Sequence, residues 1–276
     1  MLPTALFEVY RLRHDVKISA LRLLGYVGFG LVIGRVTQGI LWSIDLVIVF
    51  FGILSASFFN DYYDARLRGE ENVVMRAGMP SLLYGFVPLG IAILAIGALW
   101  YVGASTFSLM GLGGACVLSI LYSIPPVRLK DRGALGAFFV PIGIYLLFWQ
   151  ALFLERAPDM FALVLAWNVF IFAWYLELLH WYEDAFEVVE PHRLSPENIL
   201  WILYGIVFIQ SGLLLGAGIV SPIFLISGFA WALRFWALRF LGPHTIHAAR
   251  RSIMHPIWRL EEFALYGLIG IIHIFV

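Results

Sequence analysis

Long runs of apolar residues, separated by short polar segments, follow one another along almost the whole chain. A run of about 20 apolar residues is long enough for an α-helix to cross the hydrocarbon core of a bilayer. The pattern therefore predicts about nine transmembrane helices in an all-α polytopic membrane protein. The expected spans, each with an error of a few residues at its ends, are 18–39, 42–62, 81–103, 105–124, 134–154, 160–182, 198–218, 221–241 and 260–276.

Composition supports a membrane protein and excludes several other classes. The 276 residues are 62% hydrophobic and 13% charged, and the mean hydropathy is +0.89. A soluble globular domain has far fewer apolar residues and more charged ones. The formal net charge of zero gives no basis for nucleic-acid binding. A single cysteine, Cys116, excludes a disulfide within the chain.

The cations are distributed unequally between the two sides of the predicted bundle. One side carries the N-terminus and the loops after the second, fourth, sixth and eighth spans. Most lysines and arginines lie on that side, whereas the opposite loops hold little beyond Arg35 and Arg156. Because positive residues accumulate in cytoplasmic loops, we expect the N-terminus and the charged loops to be cytoplasmic, and the chemistry of the protein to take place there.

The first polar cluster lies at the end of the second span. Asn60 and Asp64 are one helical turn apart, so their side chains share a face, and Asp61 lies beside them. Hard oxygen ligands at this spacing suit a Mg²⁺ ion that also binds substrate phosphates. Arg76, in the following loop, is a candidate phosphate contact. The alternative is a solvated helix end with local ion pairs, although acidic groups at this depth usually mark a site.

The second cluster is the loop from Tyr122 to Gly133, after the fourth span. Arg128, Lys130 and Arg132 place three cations within five residues, just after Pro125-Pro126. Several cations on a proline-stiffened loop suit the binding of an anionic group. An ordinary cytoplasmic membrane anchor is an equally good interpretation of this loop by itself.

The third cluster lies at the end of the sixth span. Glu177, His180 and Asp184 have the i, i+3, i+7 spacing of one helix face, and Glu183 and Glu187 form a second pair one turn apart. Glu177 and His180 fall within the apolar span, so we expect them to be paired or to face a polar cavity. Di-iron helical bundles require two Glu-x-x-His steps, and this segment has one.

These three clusters resemble motifs of a known family. The segment Asn60-Asp61-Tyr62-Tyr63-Asp64 resembles the first aspartate-rich motif of the UbiA superfamily of intramembrane prenyltransferases. The loop Tyr122–Gly133 is similar to the corresponding loop of that superfamily, especially in its chlorophyll-synthase-like branch. The acidic segment after the sixth span stands in the place of the second motif, so the resemblance covers essentially the whole chain.

The resemblance implies a fold and a reaction. The fold is a ring of about nine transmembrane helices around a central cavity, in a single domain 1–276 with cytoplasmic cap loops at about 63–80 and 183–197. Mg²⁺ bridges the two acidic motifs to a prenyl diphosphate, which ionises to an allylic cation. A lipophilic acceptor, such as an aromatic, tetrapyrrole or lipid molecule, then takes the prenyl group. Metal and cationic side chains neutralise the leaving diphosphate.

Carried over residue by residue, the resemblance assigns metal binding to Asn60, Asp61, Asp64, Glu183, Asp184 and Glu187. It assigns diphosphate binding to Arg76, Arg128, Lys130 and Arg132. The candidate catalytic residues are Asp64, Asp184 and His180, the last as a metal ligand or general base. Glu177 and Tyr122 are expected to line the cavity.

Two positions depart from the family pattern. The first motif usually continues with another aspartate one turn after the second, and here Arg68 stands in that place. In the second motif, a register that starts at Asp184 places Val188 at the partner position. A register shifted by one residue pairs Glu183 with Glu187, and both registers remain open.

Two functional hypotheses follow. The first is a Mg²⁺-dependent prenyltransferase, or a related terpene cyclase, which binds a prenyl diphosphate, a lipophilic acceptor and membrane lipids. The second is a catalytically silent subunit of the same fold that binds an isoprenoid, quinone or pigment together with partner subunits in a membrane complex. Arg68 and Val188 favour the silent subunit, whereas Asn60, Asp64 and the basic loop favour the enzyme.

Overall fold

The computed structural model describes residues 20–69, 71–78, 80–132, 136–155, 157–187 and 194–240. Within these ranges all regular structure is helical. The helices are α1 (Ala20–Ile33), α2 (Gly39–Arg68), α3 (Val73–Arg76), α4 (Leu83–Val102), α5 (Thr106–Ser123), α6 (Gly136–Leu152), α7 (Met160–Glu187), α8 (Pro196–Ala217) and α9 (Ile223–Phe240), with a short 3₁₀ turn at Leu129–Asp131.

The helices coincide with the predicted membrane spans. Among the described residues, α2, α4, α5, α8 and the segment Met160–Leu179 of α7 are long and apolar enough to cross a membrane, and shorter apolar segments lie in α1, α6 and α9. The protein is therefore an all-α integral membrane protein. The ninth predicted span, 260–276, lies outside the described residues, so the count of nine stays a prediction, as does the cytoplasmic orientation.

Helix α2 extends beyond the predicted end of its span at residue 62. It continues to Arg68 and stops at Gly69, which has a left-handed φ of 66° and donates its backbone N–H to the carbonyl oxygen of Asp64. Glycine adopts this conformation without steric cost, which explains the position of the helix end. Asn60, Asp61 and Asp64 are consequently held on a rigid helix. Helix α7 likewise continues to Glu187, through the start of the second predicted cap loop.

The chain divides into two compact units, and the single-domain organisation stays a prediction. The first unit comprises residues 1–131 and 146–157, and the second comprises residues 132–145 and 158–276. In the first unit, α1 lies close to the end of α6 at Gly30, where a Cβ atom would lie 2.9 Å from both the Cβ of Ala151 and the carbonyl oxygen of Phe148. Small residues permit such close helix packing in membrane proteins.

At one end of the first unit, the segments that connect α1 to α2, α4 to α5 and α6 to α7 contact one another. The Glu155 carboxylate accepts hydrogen bonds from the backbone N–H groups of Thr37 (3.0 Å) and Gln38 (2.8 Å), and from the Thr37 hydroxyl at 3.1 Å. The Ser105 N–H donates to the Leu154 carbonyl at 2.9 Å. A carboxylate at the start of α2 also interacts favourably with the helix dipole. The acidic motif lies at the opposite end of this helix.

The second unit contains a buried polar junction between three helices. Asn168 of α7 accepts hydrogen bonds on Oδ1 from Nε2 of Gln210 at 2.8 Å and from Nε1 of Trp231 at 3.0 Å, and it donates to Oγ of Ser227 at 3.3 Å. All four side chains are buried. Side-chain amides often join helices in this way in membrane proteins, and here one asparagine holds α7 to both α8 and α9.

The hydrogen bonds to Glu155 predict a pH-dependent stability. Desolvation raises the pKa of Glu155, but the hydrogen bonds from Gln38 and Thr37 outweigh it and hold the pKa below its ordinary value. A carboxyl with a lowered folded-state pKa stabilises the fold above its unfolded pKa of about 4.3, and this contribution is lost as the pH falls through the folded pKa. Thermal unfolding followed from neutral to acidic pH should show a smaller loss of stability in Glu155→Gln than in the wild type. Identical pH profiles would contradict this role.

The junction at Asn168 predicts a large cost for its removal. Asn168→Leu leaves the donors of Gln210 and Trp231 buried without an acceptor, and each such group costs about 1–3 kcal/mol. We expect Asn168→Leu to lower the unfolding midpoint, measured by tryptophan fluorescence in detergent. Asn168→Asp is the matched variant, because it keeps the acceptor for both donors, and it should lose less stability than Asn168→Leu. The opposite order would exclude this account of the junction.

Candidate metal and diphosphate site

The acidic motif, Asn60 to Asp64, lies near the end of α2 that is predicted to face the cytoplasm. The structure places the basic loop with Arg128 and Lys130 against this motif. Asp61 and Asp64 are 2% and 7% exposed, and Arg128 is 6% exposed. The motif is therefore not a solvated helix end. Burial of so many charges requires that each be neutralised by a partner.

Asp64 is the centre of the resulting ion-pair network. Its Oδ1 accepts from Nη2 of Arg128 at 2.6 Å and also contacts Nζ of Lys130. The same Lys130 ammonium group donates to Oδ1 of Asn60 at 2.8 Å. The oxygens of Asn60 and Asp64, one turn apart on α2, thus converge on a single cationic group. Arg128 and Lys130 are drawn to the acidic motif, which the membrane-anchor interpretation of their loop does not explain.

Arg128 reaches Asp64 from an unusual backbone conformation. Its φ of 41° lies in the left-handed region, which costs a residue with a side chain about 1–2 kcal/mol. The guanidinium also donates to the carbonyl oxygen of Tyr63 at 3.4 Å. Its Nε lies 2.7 Å from Oδ2 of Asp131, a close ion pair without the alignment of a hydrogen bond. Such strain persists where surrounding contacts fix the residue, often at functional sites.

Two residues that the sequence analysis did not select also shape the site. Asp131 pairs with both Arg68 and Arg128, and its place between Lys130 and Arg132 was a usable signal for such a bridging role. Asn72 donates from Nδ2 to the backbone oxygen of Asp61 at 2.8 Å. Its Oδ1 accepts from the N–H groups of Val74 and Met75 at the start of α3. Asn72 therefore fixes the short helix that carries Arg76 to the end of α2.

Arg68, the departure from the family pattern, forms an ion pair with Asp131. The two side chains are 42% and 35% exposed, so this pair lies at the rim of the site, in contrast to the buried pair of Arg128 and Asp64. Exposed pairs contribute less than about 1 kcal/mol. Arg68 is thus held loosely, close to the site and with its charge balanced.

The electrostatic environment also affects Lys130. Burial lowers the pKa of Lys130, the positive charges of Arg128 and Arg68 act in the same direction, and the hydrogen bond and charge of Asp64 oppose them. The net shift is downward. Lys130 is thus a partly desolvated cation whose stability as an ammonium group depends on the anion beside it.

The remaining predicted residues are placed less completely. Arg76 and Arg132 are exposed. Tyr122 is partly buried, and Glu177 accepts a hydrogen bond from Nε1 of Trp181 at 3.2 Å. His180, Glu183, Asp184 and Glu187 belong to α7, but their side chains lie outside the described part of the structure, as does Val188. The second acidic motif therefore stays a prediction.

The side-chain oxygens near the end of α2 are of the type that binds a divalent cation. Asn60 and Asp64 supply oxygen ligands, which Mg²⁺ prefers, and their convergence on Lys130 shows that both can bind one positive charge. All ion-pair and hydrogen-bond contacts of the Asp64 side chain among the described residues use Oδ1, so Oδ2 is not engaged in them. No three His, Cys, Asp or Glu side chains in the described ranges are grouped closely enough to hold a metal by themselves. A metal here would need further oxygens from elsewhere, such as those of a diphosphate.

Comparison with known proteins identifies the fold. No family model matches the sequence, and no curated protein matches it. A UbiA homologue from Archaeoglobus fulgidus bound to GPP and Mg²⁺ is 16% identical and superimposes with a TM-score of 0.65 over 99% of this chain and 100% of that chain. The same homologue bound to DMAPP and Mg²⁺ is 15% identical, with a TM-score of 0.66 over 99% of each chain.

A third structure agrees with these two. Digeranylgeranylglyceryl phosphate synthase is 14% identical to this chain, with a TM-score of 0.69 over 96% of this chain and 97% of that chain. Identities this low establish the fold and leave the activity open. The helical architecture predicted from the motifs is confirmed at this level: the chain has the UbiA-superfamily fold.

Proposed function

We propose that this protein is an intramembrane prenyltransferase that transfers a prenyl group from a prenyl diphosphate to a lipophilic acceptor, with Mg²⁺. The observation that carries the proposal is the convergence of Asn60 and Asp64 on Lys130, with Arg128 on the same carboxylate. This arrangement places metal-type oxygens and phosphate-type cations in direct contact. The Archaeoglobus fulgidus structures with GPP or DMAPP and Mg²⁺ support the substrate class.

The residues divide into two roles. Asn60 and Asp64 would hold Mg²⁺, with Asp61 beside them. Arg128 and Lys130 would bind diphosphate oxygens, and Arg76 and Arg132 are further candidate cations for the same anion. When bound, Mg²⁺ neutralises charge on the departing diphosphate. As the family resemblance implies, the second acidic segment, with Glu183, Asp184, Glu187 and the neighbouring His180, would supply further ligands, and Glu177 and Tyr122 would line the cavity.

The basic residues are proposed to exchange partners when the substrate binds. Arg128 and Lys130 share one carboxylate oxygen of Asp64, and their side chains are 8% and 11% exposed. A diphosphate offers more negative charge and several oxygens, so both cations can move from Asp64 to phosphate with a gain in charge-assisted hydrogen bonds. Their departure would leave the Asp64 carboxylate free to act as a metal ligand. Low exposure strengthens each of these interactions, because water screens them poorly.

The catalytically silent subunit remains the second candidate function, and a specific contact favours it. Arg68 occupies the position of an expected acidic ligand and is neutralised by Asp131. If Arg128 and Lys130 stay on Asp64, the ion-pair network is a structural replacement for metal and diphosphate. The protein would then hold a lipophilic molecule without converting it.

The first experiment measures the binding of geranyl diphosphate to the protein in lipid nanodiscs, with Mg²⁺ and with EDTA. Binding should require Mg²⁺ and should be lost in Asp64→Ala. Lys130→Met should weaken it by roughly 10-fold or more, since a hydrogen bond to a charged group contributes about 1.5–3 kcal/mol. Arg66→Gln is the matched control, because it removes an exposed cation from the same end of α2, and it should change the affinity little.

Two outcomes distinguish the candidate functions. If neither geranyl diphosphate nor longer prenyl diphosphates bind in a Mg²⁺-dependent way, the prenyltransferase proposal is refuted. A lipid, quinone or pigment that copurifies with the protein and is retained in Asp64→Ala would support the silent subunit. Loss of such a molecule in Asp64→Ala would count against a purely structural network.

A second experiment tests whether Asp131 positions Arg128. Asp131→Asn should weaken Mg²⁺-dependent binding of geranyl diphosphate, because it removes the contact to Nε of Arg128. Arg68→Gln breaks the exposed pair with Asp131 and should have a smaller effect, less than about 5-fold. In the Arg128→Met background, Asp131→Asn should have almost no further effect. Equal effects of Asp131→Asn with and without Arg128 would show that Asp131 does not act through Arg128.

A further inference from the structure

Helix α2 carries another acidic residue, Asp45, near the end opposite to the acidic motif. Asp45 precedes Asp64 by 19 residues, which corresponds to roughly 28 Å along a helix. It therefore lies too far away to share a diphosphate or metal with Asp64. Asp45 and Gln150 of α6 are both 0% exposed. Leu41, Ile48 and Val49, one turn away from Asp45 on α2, belong to the apolar core of the first unit.

Asp45 and Gln150 form one hydrogen bond and leave two buried oxygens unused. Nε2 of Gln150 donates to Oδ2 of Asp45 at 3.2 Å and to the carbonyl oxygen of Leu147 at 3.1 Å. Oδ1 of Asp45 and Oε1 of Gln150 are both buried without a hydrogen-bond partner. Among the described residues, no cationic side chain forms an ion pair with Asp45. An ionised carboxylate in this position would be an uncompensated buried charge, which is very costly in an apolar interior.

A single proton on Asp45 would remove the uncompensated negative charge and would also join the two oxygens that have no partner. A carboxylic acid and a primary amide form a cyclic pair with two parallel hydrogen bonds, in which the amide N–H donates to one acid oxygen and the acid O–H donates to the amide oxygen. The bond from Nε2 to Oδ2 is the first half of this pair. The two unpartnered atoms, Oδ1 and Oε1, are the donor and acceptor positions of the second half.

We propose that Asp45 and Gln150 form a neutral acid–amide pair in which Asp45 holds a proton on Oδ1 and donates it to Oε1 of Gln150. The pair joins α2 to α6 inside the apolar core without burying a net charge. Helix α2 is continuous from Gly39 to Arg68. A contact that holds α2 at Asp45 therefore also prevents the segment that carries Asp64 from sliding along the helix axis. The inference is independent of prenyl transfer.

A bound metal cation is the competing explanation for the unused oxygens. A further side-chain oxygen that is buried without a partner is Oγ of Ser108. Ser108 lies one turn from Gly111, where α5 meets Gln150. Three oxygens are too few for Mg²⁺ or Ca²⁺, which take about six or more ligands and are hard to strip of water. A proton needs only the two oxygens that Asp45 and Gln150 provide.

The test compares three variants of the full-length protein in nanodiscs by thermal unfolding. Asp45→Asn replaces the acid O–H with an amide N–H, so a cyclic amide–amide pair can form and the unfolding midpoint should stay close to that of the wild type. Asp45→Leu and Gln150→Leu each leave one polar partner buried alone, and each should lower the midpoint by roughly 5 °C. A fall in Asp45→Asn as large as in Asp45→Leu would overturn the proposal.

Infrared spectroscopy gives a second readout that does not depend on variant stability. The wild type at neutral pH should show the carbonyl stretch of a protonated carboxyl group, and this band should be absent from Asp45→Asn. Its absence from the wild type would overturn the proposal. A midpoint that rises with NaCl relative to choline chloride in the wild type, but not in Asp45→Asn, would show a cation at this position and would also overturn it.

Discussion

The cost of burying polar groups in an apolar protein governs the described structure. A charge inside this molecule cannot rely on water, so it must be matched by an opposite charge or carry a proton. Asp64 is matched by Arg128 and Lys130, and Asp45 by the proposed proton shared with Gln150. Asn168 is uncharged, and its oxygen accepts two hydrogen bonds while its amide group donates a third. Each of these solutions joins separate segments of the chain: α2 to the loop after α5, α2 to α6, and α7 to α8 and α9.

This constraint explains why the candidate site is assembled from distant segments. Asp64 and its partners Arg128 and Lys130 are 64 and 66 residues apart in the sequence. Of the nearby cations on α2, Arg66 is exposed and Arg68 pairs with Asp131. A site made of residues from one helix would be a solvated patch. A site closed by a loop from another helix is shielded, and a diphosphate that replaces the carboxylate inherits that low-dielectric environment.

Periodicity in the sequence was sufficient to predict the helices and the face shared by Asn60 and Asp64. The motifs were sufficient to predict the UbiA fold, because their order along the spans is specific. Other features depended on tertiary structure. Asp45 was hidden in an apolar run, where one carboxyl barely changes the hydropathy. Contacts within the first unit produce the left-handed backbone of Arg128 and the bridging role of Asp131. The local pattern of residues in the sequence carries little information about either feature. The extension of α2 to Arg68 was signalled only by Gly69.

Arg68 is weaker evidence against catalysis than its position in the motif suggests. A guanidinium cannot ligate a metal, so one expected ligand is missing. However, its pair with Asp131 lies at the exposed rim of the site, and such a pair contributes less than about 1 kcal/mol. The buried pairs of Asp64 with Arg128 and Lys130 are the greater barrier, because in the proposed mechanism the diphosphate must displace them. Whether the protein is an enzyme therefore depends on whether these two cations bind a metal–diphosphate more strongly than they bind the carboxylate of Asp64.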